Sequence, residues 1–228
     1  MSAPGTYQHD DLEFARAVTF FDAIFAFAVT LLITTVDDFS PEAWSSFDAL
    51  MDANGPSLLA FAISFVVVVS FWRSNHQEVT RFKALDGRLI FLNCLVMFGI
   101  VLIPFGTEAI GKQGDLPLPV AVYAIIISGT YLMQHVVVLV ADRRGLRGVK
   151  MTSRQLTWEL INAVVLPLVF LGSIPLAYLV SPQAAEQSWI SLAVIMPVLG
   201  RLQQTSLAKA GREKDTAAHP VLNDKEAE

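Results

Sequence analysis

The chain has 228 residues, of which 54% are hydrophobic and only 16% are charged, and its mean hydropathy is +0.51. A soluble domain normally has about a quarter of its residues charged. The composition therefore argues against a soluble protein and predicts an all-α integral membrane protein. The formal net charge of −5 says less than the distribution of the charges, and no nucleic-acid partner is expected.

Six apolar segments are each long enough to cross a hydrocarbon core about 30 Å thick. We predict six transmembrane helices, at residues 16–36, 57–75, 89–108, 118–141, 157–180 and 187–204. Residues 1–204 are then a six-helix transmembrane domain. The polar residues 205–228 are predicted to form a disordered cytoplasmic tail.

The positive charges are distributed as six membrane crossings would require. Of the 16 lysine and arginine residues, only Lys112 falls outside the segments and flanks that six crossings place on one side of the membrane. Basic residues mark the cytoplasmic side of a membrane protein. Both termini are therefore predicted to be cytoplasmic, in a multi-pass membrane protein.

The first outer loop is acidic and contains no basic residue. Its acidic residues are Asp37, Asp38, Glu42, Asp48 and Asp52. Such a loop can raise the local cation concentration at a pore mouth, or it can simply be a solvated loop. Ser40 is a plausible cap for a short helix inside the loop, and the sequence Asn54-Gly55-Pro56 is expected to end that helix.

The first span begins with Arg16 and contains Asp22. A charged side chain within a membrane is costly and normally faces the protein interior with a partner. We predict an interhelical polar network, formed by Arg16, Asp22, Trp72, His76 and Asn93. This network can serve only to hold the first three helices together, because polar groups commonly connect membrane helices.

A stripe of a different kind follows on the same span. At 100° per residue, Ala23, Phe27, Thr30 and Thr34 lie on one helix face, with Leu31 at its edge. Threonine hydroxyls tolerate lipid by bonding back to the helix, so a lipid-facing stripe is one interpretation. The functional interpretation is a pore lining of Phe27, Thr30, Leu31 and Thr34, with Phe27 as the constriction.

No sequence motif of an enzyme is present: we find no HExxH, GxSxG, Walker or dinucleotide-binding pattern. The histidines lack ligand spacing, so neither a metal site nor a cofactor is expected. His135 lies in an apolar segment, where a hydrogen-bonded structural role is expected.

Several short patterns resemble the transmembrane protein 175 potassium-channel family. They are RAVTFFD at 16–22, Trp72 with His76, IFLNCLVMF around Asn93, and Pro104-Phe105-Gly106-Thr107. The resemblance implies a homotetrameric, potassium-preferring channel of the bacterial inner (plasma) membrane, with residues 1–204 as the channel domain. Its first helices would line the pore, with K⁺ and other monovalent cations as permeant partners. It also implies a constriction at Phe27, where the family has isoleucine. Phe21 replaces the family's serine, and Asn75 replaces the first histidine of a frequent pair.

Two other function classes remain open from the residues. An ion- or proton-coupled carrier would use Asp22 and His76 as a relay, although no internal repeat typical of carriers is evident. A non-conducting membrane scaffold would use every polar group structurally.

Overall fold

A computed structural model of the chain describes residues 5–36 and 39–218, with side chains up to residue 209. The described part contains seven α-helices: α1 (Leu12–Leu31), α2 (Phe47–Val79), α3 (Gly87–Gln113), α4 (Pro117–Arg143), α5 (Ser153–Leu179), α6 (Pro182–Ser188) and α7 (Leu192–Ala218). Short 3₁₀ helices follow α1 (Leu32–Thr35), precede α2 (Ala43–Ser45) and join α6 to α7 (Trp189–Ser191). Two strands, β1 (Thr6–Gln8) and β2 (Ala84–Asp86), pair antiparallel.

Five helices in the described residues are long and apolar enough to cross a membrane: α1 with its 3₁₀ extension, α2, α3, α4 and α5. The prediction of six spans is not confirmed by this criterion. Residues 187–204, predicted as the sixth span, are divided between the end of α6, a 3₁₀ turn and the first half of α7. Polar residues from Arg201 onward lower the hydropathy of α7.

The start of α2 and the loop before it differ from the sequence predictions. Ser46 caps this helix, because its side-chain oxygen accepts a hydrogen bond of 3.1 Å from the Ala49 amide. From there α2 continues through residues 54–56, where the sequence predicted a stop and placed the second span only from residue 57. The predicted short helix in the outer loop is reduced to the 3₁₀ turn Ala43–Ser45, which follows Glu42. Ser40, the predicted cap, accepts a hydrogen bond of 3.3 Å from the Ala43 amide through its side-chain oxygen. Asp37 and Asp38 lie outside the described residues.

The C-terminal segment is also different from its prediction. Residues 205–218 are helical as part of α7, so a disordered tail from residue 205 is wrong for this stretch. This stretch packs beside α5, and two hydrogen bonds join the helices. Arg154 of α5 donates one of 3.0 Å to the Ser206 carbonyl, and Asn162 of α5 donates one of 3.1 Å to the Gln203 side chain. Residues 219–228 lie outside the described part of the chain.

Helix α3 is the centre of the bundle and packs against α1, α2 and α4. The core between these helices is apolar: Phe21, Phe25, Leu32, Val96 and Ile100 are all at most 2% exposed. Burial of such side chains is the main driving force for packing in soluble proteins, whereas in a membrane close fit and interhelical hydrogen bonds take its place.

One end of the bundle is formed by β1, β2 and the segment 144–152, and we refer to it as the basic end. Backbone hydrogen bonds connect these parts, from the Lys83 amide to the Leu146 carbonyl and from the Gly148 amide to the Arg81 carbonyl, both 2.9 Å long. Arg144 forms an ion pair of 2.6 Å with Asp86. The N-terminal strand, the segment between α2 and α3 and the segment between α4 and α5 therefore lie at the same end of the bundle.

Candidate pore-lining face

Helix α1 and its 3₁₀ extension, Leu32–Thr35, have two opposite faces. One face carries Phe21, Phe25, Ala28 and Leu32, which are buried against α3 and its neighbours. The opposite face is exposed and carries the residues that the sequence predicted to line a pore: Phe27, Thr30, Leu31 and Thr34, with Ala23. We refer to these five residues as the α1 stripe. Because buried positions recur every three or four residues, the remaining positions form a continuous exposed stripe.

Phe27 is the most conspicuous residue of the stripe. Its side chain is 70% exposed, and that of Leu31 is 44% exposed. A phenylalanine with this exposure contributes nothing to the core of its own subunit. The stripe therefore faces lipid, another copy of the chain or a pore.

The two threonines of the stripe donate their hydroxyl protons inward. Thr30 Oγ1 lies 2.8 Å from the Phe27 carbonyl oxygen, and Thr34 Oγ1 lies 2.7 Å from the Leu31 carbonyl oxygen. A hydroxyl used in this way as a donor still has lone pairs for an external partner. Each threonine thus presents an acceptor oxygen on the exposed face of α1.

Asp22 connects α1 to α2. The indole Nε1 of Trp72 donates a hydrogen bond of 2.9 Å to Asp22 Oδ1. The Trp72 ring stacks on the ring of His76 with 5.6 Å between centroids. Trp72 thus contacts both residues of the proposed relay, and no direct bond joins Asp22 to His76 in the described structure.

Asn93 belongs to a separate, deeper cluster. It is fully buried, donates to the Leu89 carbonyl at 2.9 Å and accepts a hydrogen bond of 3.3 Å from Asn75. Asn75 was missed as a partner by the sequence analysis, which treated it only as a departure from the family. A signal was present, because Asn75 shares a helix face with the buried Phe71 and Val79.

Arg16 is the member of the predicted network that the structure leaves apart. Its side chain is exposed, and it has no hydrogen bond or ion pair within the described residues. Arg16 and Asp22 are six residues apart, which at 100° per residue turns their side chains 120° away from each other. The single five-residue network is therefore corrected to two clusters, Asp22–Trp72–His76 and Asn75–Asn93, with Arg16 on the same face as the stripe.

A cavity of about 460 Å³ lies away from the α1 stripe, between α2, α4, α5 and α7. His135 and Glu159 line it, and His135 Nδ1 lies 2.6 Å from Glu159 Oε1. This contact agrees with the hydrogen-bonded role predicted for His135. Among the described residues, no group of three or more His, Cys, Asp and Glu side chains is arranged to hold a metal ion.

Three acidic residues of the outer loop, Glu42, Asp48 and Asp52, lie within the described residues. The pKa of Glu42 is lowered, chiefly by the hydrogen bond from its own backbone amide and then by the Ser40 hydroxyl. Asp48 and Asp52 follow in the first turns of α2. At neutral pH this part of the loop is therefore negatively charged.

Asn93→Leu is expected to destabilise the bundle by about 0.5–2 kcal/mol, the range measured for hydrogen bonds between membrane helices. The substitution leaves the Asn75 amide buried without its acceptor. Thermal unfolding in detergent measures the loss, and the double variant Asn75→Leu/Asn93→Leu is expected to recover part of it. Ser70→Ala is the control, since Ser70 bonds only within its own helix. A single Asn93 variant as stable as the parent would contradict the cluster.

Comparison with known proteins finds relatives for part of the chain. Residues 16–104 match the family model described as "Endosomal/lysosomal potassium channel TMEM175". A potassium channel of Chryseobacterium sp. (strain P1-3) is 27% identical over 110 residues, covering 48% of this chain and 55% of that protein. A potassium channel of Streptomyces collinus is 29% identical over 119 residues, covering 50% and 58%. The chain thus spans little more than half the length of these relatives.

Solved structures extend the likeness to most of the chain. The crystal structure of a lysosomal potassium-selective channel TMEM175 homologue from Chamaesiphon minutus has a TM-score of 0.66 at 20% identity, covering 82% of this chain and 98% of that chain. A variant of the potassium channel MtTMEM175, crystallised with a nanobody fusion protein, has a TM-score of 0.55 at 15% identity, covering 90% and 99%. At these identities the likeness establishes the fold. With the five apolar helices, it makes the chain a multi-pass membrane protein.

Proposed function

We propose that the chain, whose residues 16–104 match the TMEM175 family model, is a member of that family and a potassium-preferring cation channel whose pore is formed by α1 of several copies. The observation that carries the proposal is the α1 stripe, with its exposed phenylalanine and its two outward acceptor oxygens. The proposed role is passive transport of monovalent cations, with no enzymatic step.

A pore on this face requires more than one subunit. The stripe lies on the outside of the helix bundle, opposite the core side of α1, so a single chain cannot enclose a path along it. Copies related by a closed rotation axis bring their stripes together around that axis. We propose a homotetramer, the assembly that the family resemblance of the first span implies.

The acceptor oxygens of the stripe can contact a cation that has lost part of its hydration shell. Acceptor oxygens can replace part of the hydration shell of an ion in a narrow pore. Because the Thr30 and Thr34 hydroxyls donate to carbonyls of their own helix, their free lone pairs are the groups that a cation would meet. Phe27 lies one turn before Thr30 and Leu31, where a ring of aromatic side chains can close the path by excluding water.

The proposed topology has six crossings and cytoplasmic termini, in the plasma membrane of a bacterial cell. Helix α7 supports the sixth crossing, because it runs antiparallel beside α5. Near one end Trp189 Nε1 donates to Ser173 at 2.9 Å, and near the other Arg154 donates to Ser206. The distribution of basic residues supports a cytoplasmic position for the basic end.

Reconstitution of the purified chain in liposomes tests the proposal. We expect potassium flux down its gradient without a pH gradient, smaller flux when sodium replaces potassium, and an oligomer mass of four subunits. Flux that saturates and requires a pH gradient would instead favour the carrier that uses Asp22 and His76. A folded oligomer that passes no ion under any gradient would favour the scaffold.

The carrier has less structural support than the channel. A relay needs Asp22 and His76 to exchange a proton, directly or through water. In the structure the Asp22 oxygen Oδ1 accepts from the Trp72 indole, whose ring stacks on His76. An indole N–H donates but does not accept, so this contact favours a structural role for Asp22.

A further inference from the structure

A second cavity, of about 550 Å³, lies at the basic end of the bundle. We refer to it as the basic cavity. Its walls come from the end of α2, the segment 147–151, the start of α5 and the polar half of α7. Three basic residues line it, namely Arg81, Arg147 and Lys150. Its volume is within the range of ordinary small-ligand sites.

Arg147 is the central residue of this cavity. Its side chain is only 8% exposed, and its Nη1 lies 2.7 Å from Glu78 Oε2. Its Nε is buried and has no acceptor within the described residues. Buried donors of a charged group are nearly always paired, because an unpaired one costs free energy. The guanidinium therefore has a buried donor, at Nε, for which the described residues supply no acceptor.

The charges around the cavity leave one positive charge uncompensated. Arg81 and Arg147 share the carboxylate of Glu78. The other lining carboxylate, Glu159, is hydrogen-bonded to His135. Lys150 is exposed and has no ion pair among the described residues. Three cations therefore face two carboxylates, one of which is already engaged, and the excess charge favours an anionic ligand.

We propose that the basic cavity binds a phosphate-bearing anion through Arg147, Lys150 and Arg81. The planar guanidinium and the lysine ammonium are the side chains that proteins use most for phosphate. Two sources share this chemistry: the headgroup of an anionic lipid and a free phosphate ester. Basic pockets between transmembrane helices are known positions for lipid headgroups. Val149, Met151 and Leu207 also line the cavity and provide apolar surface for an acyl chain.

Binding here would join parts of the chain that are distant in sequence. The segment carrying Arg147 and Lys150 is held to the end of α2 by the Gly148–Arg81 backbone bond. The start of α5 and residues of α7 form the facing wall. A bound phosphate would therefore stabilise the packing of α5 and α7 on the rest of the bundle, away from the α1 stripe.

Thermal unfolding of the purified full chain in detergent tests the site. The additions are phosphatidylglycerol, phosphatidylcholine and inorganic phosphate, each titrated separately. We expect phosphatidylglycerol or inorganic phosphate to raise the unfolding temperature in a saturable manner, and phosphatidylcholine to have no such effect. A response to phosphatidylglycerol alone assigns the site to lipid, whereas an equal response to inorganic phosphate assigns it to free phosphate esters.

Two lysine variants complete the test. Lys150→Gln is expected to weaken the apparent affinity about tenfold, while Lys83→Gln is expected to leave it unchanged. Both residues are exposed at the basic end, but only Lys150 lines the cavity. The proposal is overturned if no anion stabilises the protein, or if Lys83→Gln weakens binding as much as Lys150→Gln.

Discussion

Phe27→Ala is expected to raise potassium flux through liposomes at least several-fold. Removing the phenyl ring from each copy widens the proposed constriction and lets water enter it, which removes the barrier of a dewetted gate. Because Phe27 is 70% exposed in the subunit, the substitution opens no cavity in the core. The measurement is potassium efflux per reconstituted protein, with unfolding temperature checked in parallel.

The matched control for this variant is Phe98→Ala. Phe98 is 64% exposed, so it resembles Phe27 in size and exposure, but it lies on α3. We expect its flux to equal that of the parent. Equal flux from the Phe27 variant and the parent would remove Phe27 as the gate, and equal increases in both variants would indicate a general leak.

Gly99→Ala is expected to destabilise the protein by about 1–3 kcal/mol, the usual cost of overpacking. A Cβ atom at residue 99 would lie 3.0 Å from Thr130 Cβ and closer still to the Thr130 hydroxyl. The Thr130 side chain cannot rotate away without losing the hydrogen bond of 2.7 Å that its hydroxyl donates to the Ile126 carbonyl. Helices α3 and α4 would have to separate, and thermal unfolding in detergent measures the effect.

Gly129→Ala separates this contact from the general effect of adding a methyl group to a helix. Residue 129 neighbours Thr130 on α4, but a Cβ there meets no atom within 4 Å. We expect no loss of stability for this control, since alanine is the better helix former. The contact at Gly99 would be disproved if both variants unfolded at the same temperature as the parent.

The sequence predicted most of the helices well, because long apolar segments leave few alternatives to a helix in a membrane. The start of α2 was missed because Asn54, Gly55 and Pro56 are strong local stop signals. In the structure Asn54 is 4% exposed inside the helix, so packing outweighs the local preference. Local propensity is a weak guide wherever tertiary contacts decide.

The end of α7 was missed for a related reason. Its composition from residue 205 onward is typical of disorder, and nothing in those residues identifies a partner. The hydrogen bonds from Arg154 and Asn162 of α5 to α7 join residues more than 40 positions apart. Contacts over such separations cannot be recognised from one sequence.

The polar residues show what spacing can and cannot establish. Trp72 and His76 are four residues apart, a spacing that puts both on one face of α2, and in the structure their rings stack. Spacing alone does not indicate which side chain forms a hydrogen bond with Asn93, and in the structure that partner is Asn75. The prediction that Arg16 joins the network was wrong, although its six-residue offset from Asp22 puts the two side chains on different faces of α1.

Cysteine accessibility on α1 tests most directly whether the α1 stripe lines the conduction path. Thr34→Cys and Ile33→Cys would be prepared with Cys94 replaced by serine, reconstituted, and treated with a water-soluble thiol reagent during potassium flux. Both parent side chains are exposed, but only Thr34 belongs to the stripe. We predict that the reagent blocks flux through the Thr34 variant and leaves the Ile33 variant conducting. Unblocked flux at residue 34, or block at residue 33 alone, would contradict the pore that we propose.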